Sequence, residues 1–241
     1  MYTDEITYKC IKMLVWGDFK SGKTRFAGTA PKPYFFDLDN GMLSLADHKP
    51  PIEFDTYLDE EGFRRFKKDL NTVVARDDIE TVVIDSLSSL QDLTMGSIQR
   101  VNGTYGNAPQ IQEYGLFMVR MRKFLFDLIS INKHVILTAH EQIFQDGVTQ
   151  EIFITPLIYG KNMPKRMGMW FDEVYHAETE RDKEGKINYW LRTKPSRKHN
   201  CGSRLNCLDE QEIPDFRVIM EKIKKKGGNL SENRGTKNID K

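Results

Sequence analysis

Residues Gly17–Thr24 read GDFKSGKT. Two glycines stand five positions apart, and a lysine and a threonine follow the second. This is the pattern of a phosphate-binding loop, and each part has a chemical task. Gly17 and Gly22 let the backbone N–H groups of Asp18, Phe19, Lys20 and Ser21 turn inward around an anion. Lys23 brings a flexible positive charge to the β- and γ-phosphates. The Thr24 hydroxyl completes a magnesium shell. A helix opening here points its positive end at the same anion. The competing reading is an ordinary surface turn, and the flanking sequence argues against it. Cys10–Trp16 (CIKMLVW) is an apolar run that predicts a buried strand. A helix is expected from about Gly22 to Ala30, closed by Pro31 and Pro33.

A magnesium site needs a second acid. In Thr81–Asp85 (TVVID) an apolar strand ends on a carboxylate. Such a strand delivers its last side chain to the C-terminal edge of a sheet, where ligands bind. An acid there also serves simply to cap the next helix. Paired with the upstream loop, Asp85 is expected to hold magnesium together with Thr24.

Strands and helices alternate on either side of these segments. Tyr34–Leu38 is a second strand, closed by the turn sequence Asp39-Asn40-Gly41, and Ile52–Tyr57 a third. Glu60–Val74 spaces Phe63, Phe66, Leu70 and Val73 as one helical face. Leu87–Gln99 and Ile111–Ile131 are further helices, separated by a Gly/Asn-rich loop at Val101–Pro109. His134–Ala139 is another buried strand. The alternation predicts an α/β fold with a mostly parallel central sheet and helices on both faces. The pattern then changes. Gln142–Gln145 and Val148–Ile154 flank Asp146-Gly147, and Glu173–Glu180 and Ile187–Thr193 flank RDKEGK. Both read as hairpins, so the chain is expected to end in antiparallel strands. Phe216–Lys225 reads as a last helix. Residues 1–226 form one expected core, and 227–241, almost without apolar residues, a disordered polar tail.

The 241 residues suit one such domain. With 36 Lys+Arg against 35 Asp+Glu, net charge is +1, so nucleic-acid binding would have to come from local basic patches. No apolar run is long enough to span a membrane. The start, MYTDEITYKC, lacks the apolar stretch of a signal peptide. Three cysteines without framework spacing suit a reducing, cytoplasmic setting.

Three further segments narrow the family: FFDLDN at Phe35–Asn40, TVVIDSLSSL at Thr81–Leu90 and VILTAHEQ at Val135–Gln142. With the phosphate loop, their order resembles the core of RecA-like recombination ATPases. More closely, the chain resembles phage RecA-like ATPases of the Sak single-strand-annealing group, over roughly residues 9–200. The resemblance implies a RecA-like P-loop fold and binding of ATP with Mg²⁺, and no GTPase base-reading motif is present. It also implies a homo-oligomer acting on single-stranded DNA, a phage or prophage origin, and a single-strand-binding protein as a further partner. In such enzymes an acid on the second core strand polarises the attacking water. By pattern that role falls on Asp39, although the family residue is usually Glu and Asp is one methylene shorter. Asp39 as a plain turn residue stands beside that reading. His140 falls where the family places a γ-phosphate sensor; packing or capping is its ordinary alternative. Arg192 and Lys194, alternating along a strand, resemble paired cations that reach a neighbouring subunit's γ-phosphate. A solvated edge strand would look the same.

Single-strand binding joins backbone-tracking cations to stacking groups. Phe144, Lys161, Lys165 and Arg166 follow the sensor strand, and Arg197 and Lys198 lie in the basic stretch Trp190–Arg204. Hairpin aromatics also serve as core. His199, Cys201 and Cys207 invite a zinc reading, but their spacing matches no standard motif, and free thiols are the alternative. A second functional class fits the same loop: a nucleotide-switched loader or adaptor acting on a replication protein, with little DNA activity of its own.

Overall fold

The computed structural model describes residues 10–59, 61–145, 147, 150–160 and 162–232. Its centre is strand β1 (Lys12–Gly17), whose six residues are all buried. A strand this apolar must be covered on both faces, and it is. β1 lies between β5 (His134–Gln145) and β7 (Glu173–Arg181), parallel to both. Outward from β5 come β4 (Thr81–Asp85), β2 (Pro33–Asp37) and β3 (Glu53–Thr56), all parallel. Beyond β7 the sheet turns antiparallel through β8 (Ile187–Arg192) and β10 (Gln211–Glu212). β6 (Ile152–Pro156) pairs antiparallel with the far half of β5, and β9 (Gly202–Ser203) with the start of β7. The sheet order is thus β10-β8-β7-β1-β5-β4-β2-β3. This is the α/β arrangement expected from the sequence, a mostly parallel sheet with an antiparallel end.

Strand alternation divides the apolar residues between two cores. Leu14, Trp16, Phe36, Ile84 and Leu137 face one side, under α2 (Gly62–Val74), α3 (Leu87–Asn102) and α4 (Ile111–Ile129). Met13, Val15, Phe35, Val83 and Ile136 face the other, under α1 (Lys23–Gly28) and α6 (Phe216–Glu232). A short helix, α5 (Met163–Arg166), follows β6. No helix among the described residues is long and apolar enough to cross a membrane.

Several boundaries differ from expectation. β1 begins at Lys12, not Cys10, because the Lys12 ammonium turns back to the carbonyls of Ile131 and Lys133 and anchors the strand there. α1 stops at Gly28 rather than Ala30; the Thr29 hydroxyl takes the Phe26 carbonyl and ends the helix. β6 begins at Ile152, four residues later than expected, and Asp146, Val148 and Thr149 of that turn lie outside the described residues. β8 ends at Arg192, so Lys194 is not in the strand. Pro195 has no N–H with which to extend the ladder. α6 runs to Glu232, so the first residues of the expected tail continue a helix, and 233–241 lie outside the described residues.

Candidate nucleotide site

The parallel strands all end on one edge of the sheet, and the sequence-predicted residues gather there. β1 delivers the loop 17–24. Gly17 has no room for a side chain: a Cβ would sit 2.5 Å from the Ala177 carbonyl oxygen on β7. Gly22 adopts φ +88°, and a Cβ there would meet the Tyr189 ring at 3.1 Å. Lys20 also has positive φ, at 60°, a conformation with a steric cost for any residue bearing a Cβ. The loop therefore takes a shape that its two glycines permit.

Lys23 is buried and its ammonium donates to the carbonyls of Gly17 (3.0 Å) and Asp18 (2.6 Å). Burial lowers its pKa, against the opposing pull of Asp85, Asp39 and Asp18. A γ-phosphate would offer this half-desolvated cation a stronger partner than neutral carbonyls. Next to it the Thr24 hydroxyl donates to Asp85 Oδ2 at 2.6 Å. Thr138, from the LTA of β5, donates to the other Asp85 oxygen. Burial pushes the Asp85 carboxyl up, with the Thr138 and Thr24 hydroxyls opposing. A buried carboxylate, a hydroxyl and a nearby excess of acid form a donor set of hard oxygens suited to Mg²⁺. The residues present therefore fit the ion that the loop implies.

Asp39 and His140 meet across the mouth of the site. His140 Nε2 lies 2.9 Å from Asp39 Oδ2. The Ser86 hydroxyl (3.1 Å) and the Ser89 hydroxyl both donate to Asp39 Oδ1. Burial would raise the Asp39 pKa, but the His140 and Ser89 bonds outweigh it and hold the carboxyl below its usual range. Asp37 has a different task. Its Oδ1 accepts the N–H groups of Asp39 (3.2 Å) and Gly41 (3.0 Å) and so aims the turn. The cleft enclosed by these groups is about 1000 Å³, with Phe26, Leu45, Tyr189 and Pro214 supplying apolar wall. That is room for a nucleotide with its base.

Arg192 and Lys194 are not a matched pair. Arg192 Nε donates to Glu178 at 2.6 Å and its Nη1 to Glu210 at 2.7 Å. Lys194 is exposed in the bend beyond the strand, so alternation does not place the two on one face. Of the nucleic-acid candidates, Phe144 pairs across the β5–β6 hairpin with Phe153. The Lys165 ammonium stands 4.9 Å from the Phe144 ring centroid and 5.9 Å from that of Phe153. Arg166 is exposed beside it. Arg197 and Lys198 are exposed along the β6 edge, where Arg197 pairs with Glu151 at 2.9 Å and the Ile154 N–H donates to the Lys198 carbonyl. Lys161 lies outside the described residues.

The cysteines are free thiols, the alternative to the zinc reading. Among the described residues, no group of metal-ligating side chains includes Cys201 or Cys207. Cys201 is buried, which pushes its thiol up to about 12, and burial also raises Cys207. Both are therefore held protonated and inert. His199 instead joins His176 and Glu178. Sequence reading missed Thr138, Ser86 and Ser89, all hydroxyl residues inside segments already singled out. It also missed Glu141, His176 and Glu178, which no spacing rule connects because they come together only through the β5-β1-β7 register.

Residues 9–205 match the family model described as an AAA domain. No curated protein matches the chain by sequence. Among solved structures, the chain is similar to the RadB recombinase at 15% identity and a TM-score of 0.47, covering 76% of this chain and 87% of that one. It is also similar to the flagellar accessory protein FlaH from Methanocaldococcus jannaschii at 10% identity and a TM-score of 0.40, covering 83% of each chain.

Proposed function

The chain belongs to the AAA-domain family and is a P-loop ATPase of RecA-like fold, and from that premise we propose that it couples ATP hydrolysis to single-stranded DNA binding in annealing or strand pairing. One observation carries the proposal. β5 is a single continuous strand from His134 to Gln145. It holds His140 against Asp39 in the cleft and, four residues on, Phe144 beneath Lys165 on the hairpin. A shift of His140 on loss of the γ-phosphate would be felt directly at an aromatic surface topped by a cation, the kind of platform on which bases stack. This reading places the chain with the Sak-type annealing ATPases that its motifs resemble.

The chemistry follows from the residues in place. Lys23 leaves the Gly17 and Asp18 carbonyls for the phosphates. Thr24 and Asp85 would hold Mg²⁺, which when bound neutralises charge developing on the β- and γ-oxygens. Asp39 keeps its carboxylate form and can orient the attacking water and accept its proton. His140 ties that carboxylate to β5 and so to the hairpin. In a homo-oligomer, an Arg192 exchanged from Glu178 would reach a neighbour's phosphates and stabilise the leaving charge.

The loader reading is favoured by a different feature. α4 exposes Ile111, Leu116, Val119 and Phe126, of which Ile111 is 88% exposed. Leu116, Val119 and Phe126, spaced by three and then seven residues, share one exposed face of the helix, and a contiguous apolar face of that kind suits a protein partner. The deciding experiment is ATP turnover by the purified chain with and without single-stranded DNA, with Lys23→Ala as the blank. Several-fold stimulation by single strands supports the recombination reading. Turnover that ignores DNA and rises only with a protein partner replaces it by the loader reading.

A further inference from the structure

Beyond the nucleotide cleft, on the far side of β1, His176, Glu178 and His199 bring one ligand atom each within 4.8 Å of one another. His176 and Glu178 are two residues apart on β7, so their side chains share a face, and His199 comes from the loop after β8. The His176 and His199 rings lie 4.3 Å apart, and Trp16 packs against His176 at 4.4 Å. His176 Nε2 is 2.8 Å from Glu141 Oε2. A carboxylate oxygen accepts, so Nε2 donates there.

His176 Nδ1 faces Glu178 Oε1 at 3.2 Å, an oxygen that also accepts the Arg192 Nε at 2.6 Å. The buried ring thus stands between two carboxylates, with Nδ1 and Glu178 Oε1 placed to share a cation. A tetrahedral ion with bonds of about 2.0–2.2 Å spaces its ligand atoms about 3.3–3.5 Å apart, close to this separation.

We propose that His176 Nδ1, Glu178 Oε1 and His199 bind a divalent transition-metal ion of the Zn²⁺ type. Glu141 supplies the carboxylate that metal-bound histidines need on their other nitrogen, fixing tautomer and ring orientation. Ser196 plays the corresponding part for His199, with its Oγ 3.0 Å from Nδ1. Glu178 retains Oε2 for Arg192 Nη2 and Gln211 at 3.3 and 3.2 Å, while the shorter Arg192 Nε bond to Oε1, at 2.6 Å, would give way to the ion. The ion would pin the loop that carries Arg197 and Lys198 onto β7. The site does not depend on the DNA reading, since it is built entirely from this chain.

The test is titration of the EDTA-stripped full chain with Zn²⁺ by calorimetry and with Co²⁺ by visible absorption. One equivalent of Zn²⁺ is expected, with a ligand-field band for Co²⁺. His199→Gln, on a surface loop, should abolish both while leaving the circular dichroism spectrum unchanged. Glu178→Gln should do likewise. Glu141→Gln, which removes only the supporting carboxylate, should weaken binding about 10- to 100-fold. Zn²⁺ should also slow tryptic cleavage after Arg197 and Lys198 in the parent chain but not in His199→Gln. No stoichiometric binding below about 100 µM would overturn the proposal and leave a proton as the cation between His176 and Glu178. Binding that survives both His199→Gln and Glu178→Gln, or that is lost instead in Cys207→Ser, would overturn it equally.

Discussion

His140 Nε2 and Asp39 Oδ2 are 2.9 Å apart, so the residue expected to sense the γ-phosphate and the acid expected to direct water form one unit. The consequence for catalysis is a split between binding and turnover. Asp39→Asn keeps the shape of the turn and its hydroxyl partners but removes the base. kcat should fall about 10²- to 10⁴-fold, with ATP affinity nearly unchanged. His140→Ala should also lower kcat and, in addition, weaken any response to DNA. Because the Asp39 pKa is lowered in the fold, its contribution to stability is present above the ordinary carboxylate range and is lost as pH falls through the lowered value. Full turnover by Asp39→Asn would leave Asp39 as a turn residue only.

The phosphate loop and the metal pair should separate in a binding experiment. Lys23→Ala removes a charged donor from the phosphates and should weaken ATP binding about 10- to 100-fold with or without Mg²⁺. Asp85→Asn should leave metal-free nucleotide binding intact and raise the Mg²⁺ concentration needed for turnover. Burial raises the Asp85 pKa, so the Mg²⁺-dependent part of binding should fade at a higher pH than an ordinary carboxylate would dictate. Fluorescent-nucleotide titrations across pH, with and without Mg²⁺, read both effects. Equal loss in the two variants under both conditions would refute the division of labour.

Glu173 predicts a pH dependence of stability outside the cleft. Burial raises its pKa to about 7, against the opposing bonds from the Tyr175 and Ser203 hydroxyls. An acid raised in the fold binds protons more tightly there than in the unfolded chain. Its contribution to stability is therefore complete below the unfolded carboxylate pKa and declines as pH rises towards 7. The span is on the order of 3 kcal/mol before relaxation. Glu173→Gln, uncharged at every pH, should flatten the thermal-melting profile between acid and neutral pH. A parent and variant with parallel profiles would contradict it.

The central fold was legible because buried parallel strands and their helices leave local signals. KMLVWG, PYFFD and TVVID are each short, apolar and bounded by turns or proline, and all became strands. The loop 17–24 was legible for the same reason: its chemistry is packed into consecutive residues. What escaped was set by register. Glu141, His176 and Glu178 meet because β5 and β7 both pair with β1, and nothing within any one segment announces that. Arg192 and Lys194 do not share a face, because spacing by two implies one only while the strand lasts, and the strand ends at Arg192 ahead of Pro195. The ends of α1 and β1 were set by single side chains, Thr29 and Lys12, that bond to main-chain carbonyls.

The hairpin surface makes a prediction about DNA. Phe144→Ala should cost about 1–3 kcal/mol of single-strand affinity if bases stack there. Lys165→Ala should weaken binding uniformly across sequences and reduce the salt dependence by about one phosphate contact. Fluorescence anisotropy at several salt concentrations separates the two. Loss of affinity in neither variant would move the DNA surface away from β5–β6.

Arg192 has two possible employments, and they predict different failures. Within this chain it bridges Glu178 and Glu210, so Arg192→Ala strands a half-buried Glu178 and should lower stability by about 1–3 kcal/mol. Lys194→Ala, at an exposed bend, should not. A trans-acting cation predicts more: Arg192→Ala should slow hydrolysis by orders of magnitude while ATP affinity holds. Mixing decides between them. Asp39→Asn subunits have a dead site but an intact Arg192, and Arg192→Ala subunits have an intact site but no cation. If the arginine serves a neighbour, mixed assemblies regain turnover that neither variant shows alone. If mixing restores nothing although the two variants co-assemble, Arg192 is a structural ion pair, and the cation facing the γ-phosphate has to be sought elsewhere.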